Sequence, residues 1–226
     1  MMQLIKVLRV IFDWSEVWAP LIPLLFIVFK PKQPKHFQPI IIYLVLAVII
    51  DLLIDISWKF KSHVPLWLQD NNFLYNIHSV IRFICFSIYF TLLNQSYNRK
   101  LQKIVPLLSI AFLLINFNGS EHFIEKNSFS SRLLAVEAGL LLFYCLQYFL
   151  YKLQQEQTID RKAADYWIVL GLSIYVVFNF PYFLFYKTLL ENGYRDFVVN
   201  MWHFHNVSYI LLCILIAKAI YVAGNK

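Results

Sequence analysis

Apolar residues along this chain gather into seven long blocks, at 14–29, 39–58, 73–94, 104–118, 133–151, 166–187 and 202–222, with short polar stretches between them. The blocks are continuously apolar and do not alternate, which predicts helices instead of barrel strands. A helix needs about twenty mainly apolar residues to cross a bilayer. The fourth block is short, so it either tilts little or extends into the polar residues at its ends. The pattern predicts an all-α fold, a polytopic membrane bundle of seven transmembrane helices, with residues 1–226 as one domain. Composition agrees: 60% of the 226 residues are hydrophobic and 15% charged, where a soluble domain has about 25% charged.

The first block opens like a basic leader, with Lys6 and Arg9, but Asp13, Trp14, Glu16, Pro20 and Pro23 interrupt the smooth apolar run that a cleaved signal requires. It is expected to stay, with 4–12 as an interfacial helix before the span. Alternating the spans puts loops 30–38, 95–103 and 152–165 and the C-terminus on one side. That side carries Lys30, Lys32, Lys35, Arg99, Lys100, Lys103, Lys152, Arg161, Lys162, Lys218 and Lys226. On the other side Lys6, Arg9, Lys59, Lys61, Lys126, Arg132, Lys187 and Arg195 are diluted by Asp70, Glu121, Glu125, Glu191 and Asp196. Lys and Arg collect on the cytoplasmic side, so the C-terminus is expected inside and the N-terminus outside. The net charge of +7 is then a topology signal, with nucleic acid not expected as a partner. Interfacial aromatics fit the same scheme, Trp14, Trp58, Trp67 and Trp202 at outer ends and Tyr97, Tyr151, Trp167 and Tyr221 at inner ends.

Polar residues inside the blocks fall almost entirely in the outer halves. Block two carries Asp51 and Asp55, one turn apart on one face. Block three opens with Asn76, His78 and Arg82. Block four ends with Asn116 and Asn118, followed by Glu121 and His122. Block five follows Ser130 and Ser131, suitable N-caps, and places Glu137 about one and a half turns in. Block six brings Asn179 and Tyr182, and block seven His203, His205, Asn206, Ser208 and Tyr209. The inner halves are apolar except for Gln147 and Lys218, and Lys218 is able to snorkel to the headgroups.

A charge at membrane depth costs about 2.5–3.5 kcal/mol on insertion scales, so these groups are expected to face the bundle interior. The predicted site is an outward-opening polar pocket over an apolar plug. It is lined by Asp51, Asp55, Asn76, His78, Arg82, Asn116, Glu137, Asn179, Tyr182, His203, His205 and Asn206. In the structural alternative, Arg82 clamps Asp55 or Glu137 and the asparagines bridge helices. No cofactor is expected; the alternative is zinc on His78, Glu137 and His203. His203 and His205 are two apart, so on a regular helix their side chains diverge by about 200° and do not share one ion. Only one of them is expected to face inward. Bis-histidine haem has no other supporting feature. Cys85, Cys145 and Cys213 read as buried hydrophobes. No phosphate loop, serine elbow or internal repeat is visible. Pro181 beside Asn179 marks a kink, either static or a hinge.

The blocks from Ser130 to Glu137, from Tyr166 through Gly171 and Tyr175 to Asn179, and from His203 to Asn206 with Lys218-Ala219 resemble those of small, uncharacterised membrane proteins of Bacteroidota. Their layout is similar to the membrane sensory region of some histidine kinases in those bacteria. The resemblance spans blocks three to seven. It implies a multi-pass protein of the bacterial inner membrane. Because the given chain stops just after block seven, it further implies a stand-alone module acting through a partner. The expected function is a receptor-like or accessory protein for a small polar or lipid-headgroup ligand, with the bilayer and a membrane or cytoplasmic signalling protein as partners. The alternative is a metal-dependent hydrolase of lipid-like substrates. Ion translocation is disfavoured by the apolar inner halves.

Overall fold

The computed structural model describes residues 10–65, 69, 71–117, 129–155 and 163–224, with only the backbone described at 114–117. Among them are α1 (Ser15–Trp18), α2 (Leu21–Phe29), α3 (Gln38–Lys59), α4 (Asn72–Leu93), α5 (Arg99–Phe117), α6 (Ser131–Gln154), α7 (Ala164–Glu191) and α8 (Arg195–Ala223), with a 3-10 turn at Lys35–Phe37 and no strand. Five helices are long and apolar enough to cross a membrane: α3 with its leading turn, α4, α6, α7 and α8. This is the architecture of a helical membrane protein. Residues 10–12 of the expected interfacial helix are helical. Residues 4–9 lie outside the described residues, as do Trp67, Asn118, Glu121 and His122.

The first block is not one helix. Pro20 lacks an N–H and its ring opposes the preceding turn, so α1 ends at Trp18 and α2 starts at Leu21. The last two blocks, by contrast, are longer than their apolar cores. At 28 and 29 residues, α7 and α8 run about 42 Å at the rise of an α-helix, well beyond a ~30 Å hydrocarbon core. The loop expected at 188–201 is therefore only the turn Asn192–Tyr194. Gly193 adopts φ +83°, where a side chain is strained, and the Gly193 and Tyr194 amides donate to Leu190 and Leu189 carbonyls at 3.1 and 3.0 Å. Pro181 sits within α7, whose helix continues on both sides of it.

Packing is densest between α7 and α8 and between α6 and α7, while α5 packs mainly on α4 and α6. Gly171 explains the first. A Cβ there would lie 3.0 Å from Leu215 Cβ and 3.4 Å from Leu212 Cα, so the missing side chain lets the backbones close. The expected apolar plug is present: Phe86, Phe90, Leu141, Leu172, Leu212 and Ile216 are at most 1% exposed. Phe90 stacks on Tyr144 with ring centroids 5.0 Å apart. Opposite faces carry an exposed apolar belt, including Val28, Phe29, Ile84, Leu107, Phe178 and Phe204, which suits lipid instead of water.

At the end below the plug, polar side chains tie the loops down. Gln147 Oε1 accepts from the Asn98 amide at 2.8 Å, His36 Nε2 meets Asp165 Oδ1 at 2.9 Å, and Tyr89 donates to the same carboxylate at 3.2 Å. Lys218, expected to snorkel, places its ammonium 3.7 Å from the Trp167 ring centroid. Gly171→Val is expected to destabilise the protein by about 1–3 kcal/mol, because an overpacked helix contact forces the backbones apart. Thermal unfolding in non-ionic detergent measures it; an unchanged midpoint refutes the close-approach account.

Candidate functional site

The helices bring most of the predicted polar residues to the end of the bundle opposite the plug, in two tiers. The deeper tier is built on an ion pair. Arg82 of α4 grips Glu137 of α6 with two parallel bonds, Nε to Oε1 at 2.5 Å and Nη2 to Oε2 at 2.7 Å. Ser79, one turn earlier on α4, donates a third bond to Oε2 at 2.5 Å. Such fork-to-fork pairing uses the planar geometry that distinguishes Arg from Lys. The guanidinium also lies 4.9 Å from the ring centroid of Tyr175 on α7. Arg82 and Glu137 are 5% and 4% exposed, so the pair is desolvated on all sides. Of the two clamps open from the sequence, Glu137 is the partner and Asp55 is not.

Around this pair the imidazoles are held by neighbours. His205 Nδ1 donates to Asn179 Oδ1 at 2.6 Å, and its Nε2 lies 3.2 Å from Glu16 Oε1. Asn179 in turn donates to Ser208 Oγ at 2.9 Å and to the Tyr175 carbonyl at 2.7 Å. His78 Nδ1 lies 3.0 Å from Asp51 Oδ1 without the alignment of a hydrogen bond, so both Asp51 oxygens and His78 Nε2 are buried and unpartnered. Between these groups, Glu16, His78, Arg82, His205 and Tyr209 enclose a cavity of ≈ 20 Å³, room for about one water-sized molecule. The deep tier is a packed polar network and too small to hold a ligand.

The upper tier is a vestibule of ≈ 390 Å³ bounded by the start of the chain, the end of α3, the end of α7 and the start of α8. This is within the ~300–1,000 Å³ range of ligand pockets. Asp55, Tyr182, His203 and Asn206 of the predicted set line it, together with Trp14, Trp58 and Trp202. Tyr182 is satisfied, donating to the Val198 carbonyl at 3.3 Å. Asp55 Oδ2, His203 Nδ1 and Asn206 Oδ1 are buried atoms without a hydrogen-bond partner. Trp202 borders both tiers, packing on His205 with ring centroids 5.0 Å apart. A third cavity, ≈ 320 Å³ and almost wholly apolar, runs along α4 between α5 and α6 and ends at Ser79 and Glu137.

The site is two tiers and not one pocket. Asn76 does not line either: its Oδ1 accepts from the Ser130 amide at 3.1 Å, holding the cap of α6, where Ser130 Oγ accepts from the Leu133 amide. Asn116 lies on α5, with its side chain outside the described residues. The zinc alternative is not assembled: His78 faces Asp51, Glu137 is occupied by Arg82 and Ser79, and His203 packs on Phe12 in the vestibule. Among the described residues no three His, Cys, Asp or Glu side chains converge as a metal set. Of the two α8 histidines, His205 is the inward one at 8% exposure.

Glu16 and Ser79 are site residues that the sequence pattern did not single out. Glu16 reads as a flaw in an apolar block until the break at Pro20 turns α1 across the top of α8. Ser79 was detectable in principle, lying three residues before Arg82 on the face that carries it.

Comparison with protein-family models, curated proteins and solved structures returns no match. The class rests on the fold and site alone: a helical membrane protein with a buried ion-pair network beneath a ligand-sized vestibule. Arg82→Ala is expected to destabilise the bundle by about 3–5 kcal/mol, because it strands a buried Glu137 carboxylate. Adding Glu137→Ala should restore part of that stability, while adding Asp51→Ala or Asp55→Ala should not. A double-mutant cycle on thermal unfolding in detergent decides it; equal rescue by all three carboxylates refutes the specific pair.

Proposed function

We propose that this chain is a receptor-like or accessory protein of the bacterial inner membrane, with an outward-facing site for a small polar or lipid-headgroup ligand. The observation that carries the reading is the vestibule itself. It is ligand-sized and aromatic-walled, and three buried polar atoms on its wall have no partner inside the protein. Unpaired buried polar atoms cost about 1–3 kcal/mol each, a cost that a bound polar group offsets.

In this reading the bundle has seven spans. The broken pair α1 and α2 makes the first, and α5 makes the fourth by extending into its polar start. The N-terminus lies outside and the C-terminus inside, as the Lys and Arg distribution favours. A ligand between Asp55 and Asn206 biases the α7–α8 hairpin, whose tight Gly193 turn and close Gly171 contact make it move as one body. The far ends of α7 and α8 then present the change to a membrane or cytoplasmic partner. The alternative, a metal-dependent hydrolase of lipid-like substrates, has less support. The carboxylate of its zinc set, Glu137, is spent on Arg82 and Ser79.

Cysteine labelling tests both topology and ligand access. The native Cys85, Cys145 and Cys213 are buried, so background is low. His203→Cys is expected to react with a membrane-impermeant thiol reagent in intact spheroplasts, and a fraction of small polar metabolites or headgroup analogues should slow that reaction at least threefold. Labelling only after lysis reverses the topology. Labelling that no fraction slows overturns the receptor reading.

A further inference from the structure

The vestibule's chemistry narrows the ligand class. We infer that it is a site for an organic cation, an alkylammonium group held against carboxylates inside an aromatic cage. The inference rests on the ligand-site reading above and names the class of ligand that fits it.

The walls come from separate parts of the chain. Trp14 precedes α1, Trp58 lies at the end of α3, and Trp202 lies in the first turns of α8, so three indoles border one cavity of ≈ 390 Å³. Indole is the side chain whose face attracts cations most strongly, and cages of such rings are the established way to hold quaternary ammonium groups, which have no hydrogen to donate. One of these rings already meets a cation: Lys59 Nζ lies 5.1 Å from the Trp14 ring centroid. An ammonium tethered to the rim thus occupies one face of the cage from within the protein.

The unpartnered atoms agree in sign. Asp55 Oδ2 is an acceptor, and so is Asn206 Oδ1 on a residue only 2% exposed whose Nδ2 is turned away to the Phe12 carbonyl at 3.4 Å. Asp13 adds a second carboxylate to the lining. Glu16 and Asp51 lie within electrostatic reach of Asp55, and Asp51, beside His78, has two more buried oxygens that accept no hydrogen bond. Against these acceptors the vestibule lining has one fixed cation, Lys59, and one titratable ring, His203. An anion placed here would meet mostly acceptors; a neutral polyol would leave the indole faces without their best partner. A cation satisfies both. A free amine and the ammonium of a lipid headgroup share this chemistry, and the rim position of Trp58, which is 77% exposed, is compatible with either.

The test uses the full chain in non-ionic detergent, titrated calorimetrically with tetramethylammonium, choline, acetate and glycerol, beside nanodiscs containing phosphatidylcholine, phosphatidylethanolamine or phosphatidylglycerol. Tetramethylammonium or choline is expected to bind saturably. Asp55→Asn should weaken that binding about tenfold. Lys59→Gln, at an exposed position, should strengthen it several-fold by releasing the Trp14 face, a gain that a merely structural role for Lys59 does not produce. The Lys59 readout keeps the proposal testable even where Trp202→Leu or another cage variant fails to fold. Saturable binding of the free cation identifies a soluble amine as the source. Selective retention of choline or ethanolamine lipids over phosphatidylglycerol, seen by native mass spectrometry and lost in Asp55→Asn, identifies a headgroup; either supports the proposal. Saturable binding of acetate or glycerol without any ammonium overturns the cation class and leaves the vestibule a ligand site. Binding of no probe, free or lipid, overturns both.

Discussion

The Arg82–Glu137 pair is the interaction on which the rest of the bundle depends. Both charges are buried inside the bundle, and neither is tolerable there without the other. The pair therefore sets the register of α4 against α6: the two parallel bonds at 2.5 and 2.7 Å hold for one relative height of the helices only. Ser79 adds a third bond from α4, and the Tyr175 ring under the guanidinium brings α7 into the same layer. Three helices are thereby locked at one level, and α8 follows α7 through the Gly193 turn and the Gly171 contact.

Once that level is set, the other polar groups sort themselves by what remains available. His205, Asn179 and Ser208 pair among themselves. Their network leaves a cavity of only ≈ 20 Å³, so the deepest polar residues act as structure. Space for a ligand lies one tier higher, where the helices diverge and α1 crosses. There the acceptors on Asp55 and Asn206 lack partners and the walls are indole. Below, the aromatic and aliphatic plug closes the bundle.

The third cavity, along α4 between α5 and α6, follows from the looseness of α5. That helix packs mainly on its two neighbours, and its face toward Ile84 and Ile88 is left open. The groove is nearly all apolar and borders exposed aliphatic side chains. It reaches Glu137, whose carboxylate Arg82 and Ser79 already engage, and passes Ser87, whose buried hydroxyl has no hydrogen-bond partner.

The helical class, the positions of the long apolar helices and the polar-above, apolar-below division were legible in the amino-acid pattern. Each follows from a local property, the continuous burial of apolar side chains in lipid and the cost of charge there. The N-cap at Ser130 was legible for the same reason, since a hydroxyl before a helix satisfies its first amides. The pattern listed the polar residues as one set, without Glu16 and Ser79 and without dividing them. That Arg82 selects Glu137 over Asp55, that His205 and not His203 turns inward, and that Asn76 holds a helix cap are decided by how α4, α6 and α8 rotate against one another. Rotation is a tertiary property: a few tens of degrees move a side chain from the network to the vestibule without changing any local preference. Glu16 shows the limit most sharply. In sequence it interrupts an apolar run, and only the break at Pro20 and the crossing of α1 over α8 bring its carboxylate to 3.2 Å from His205.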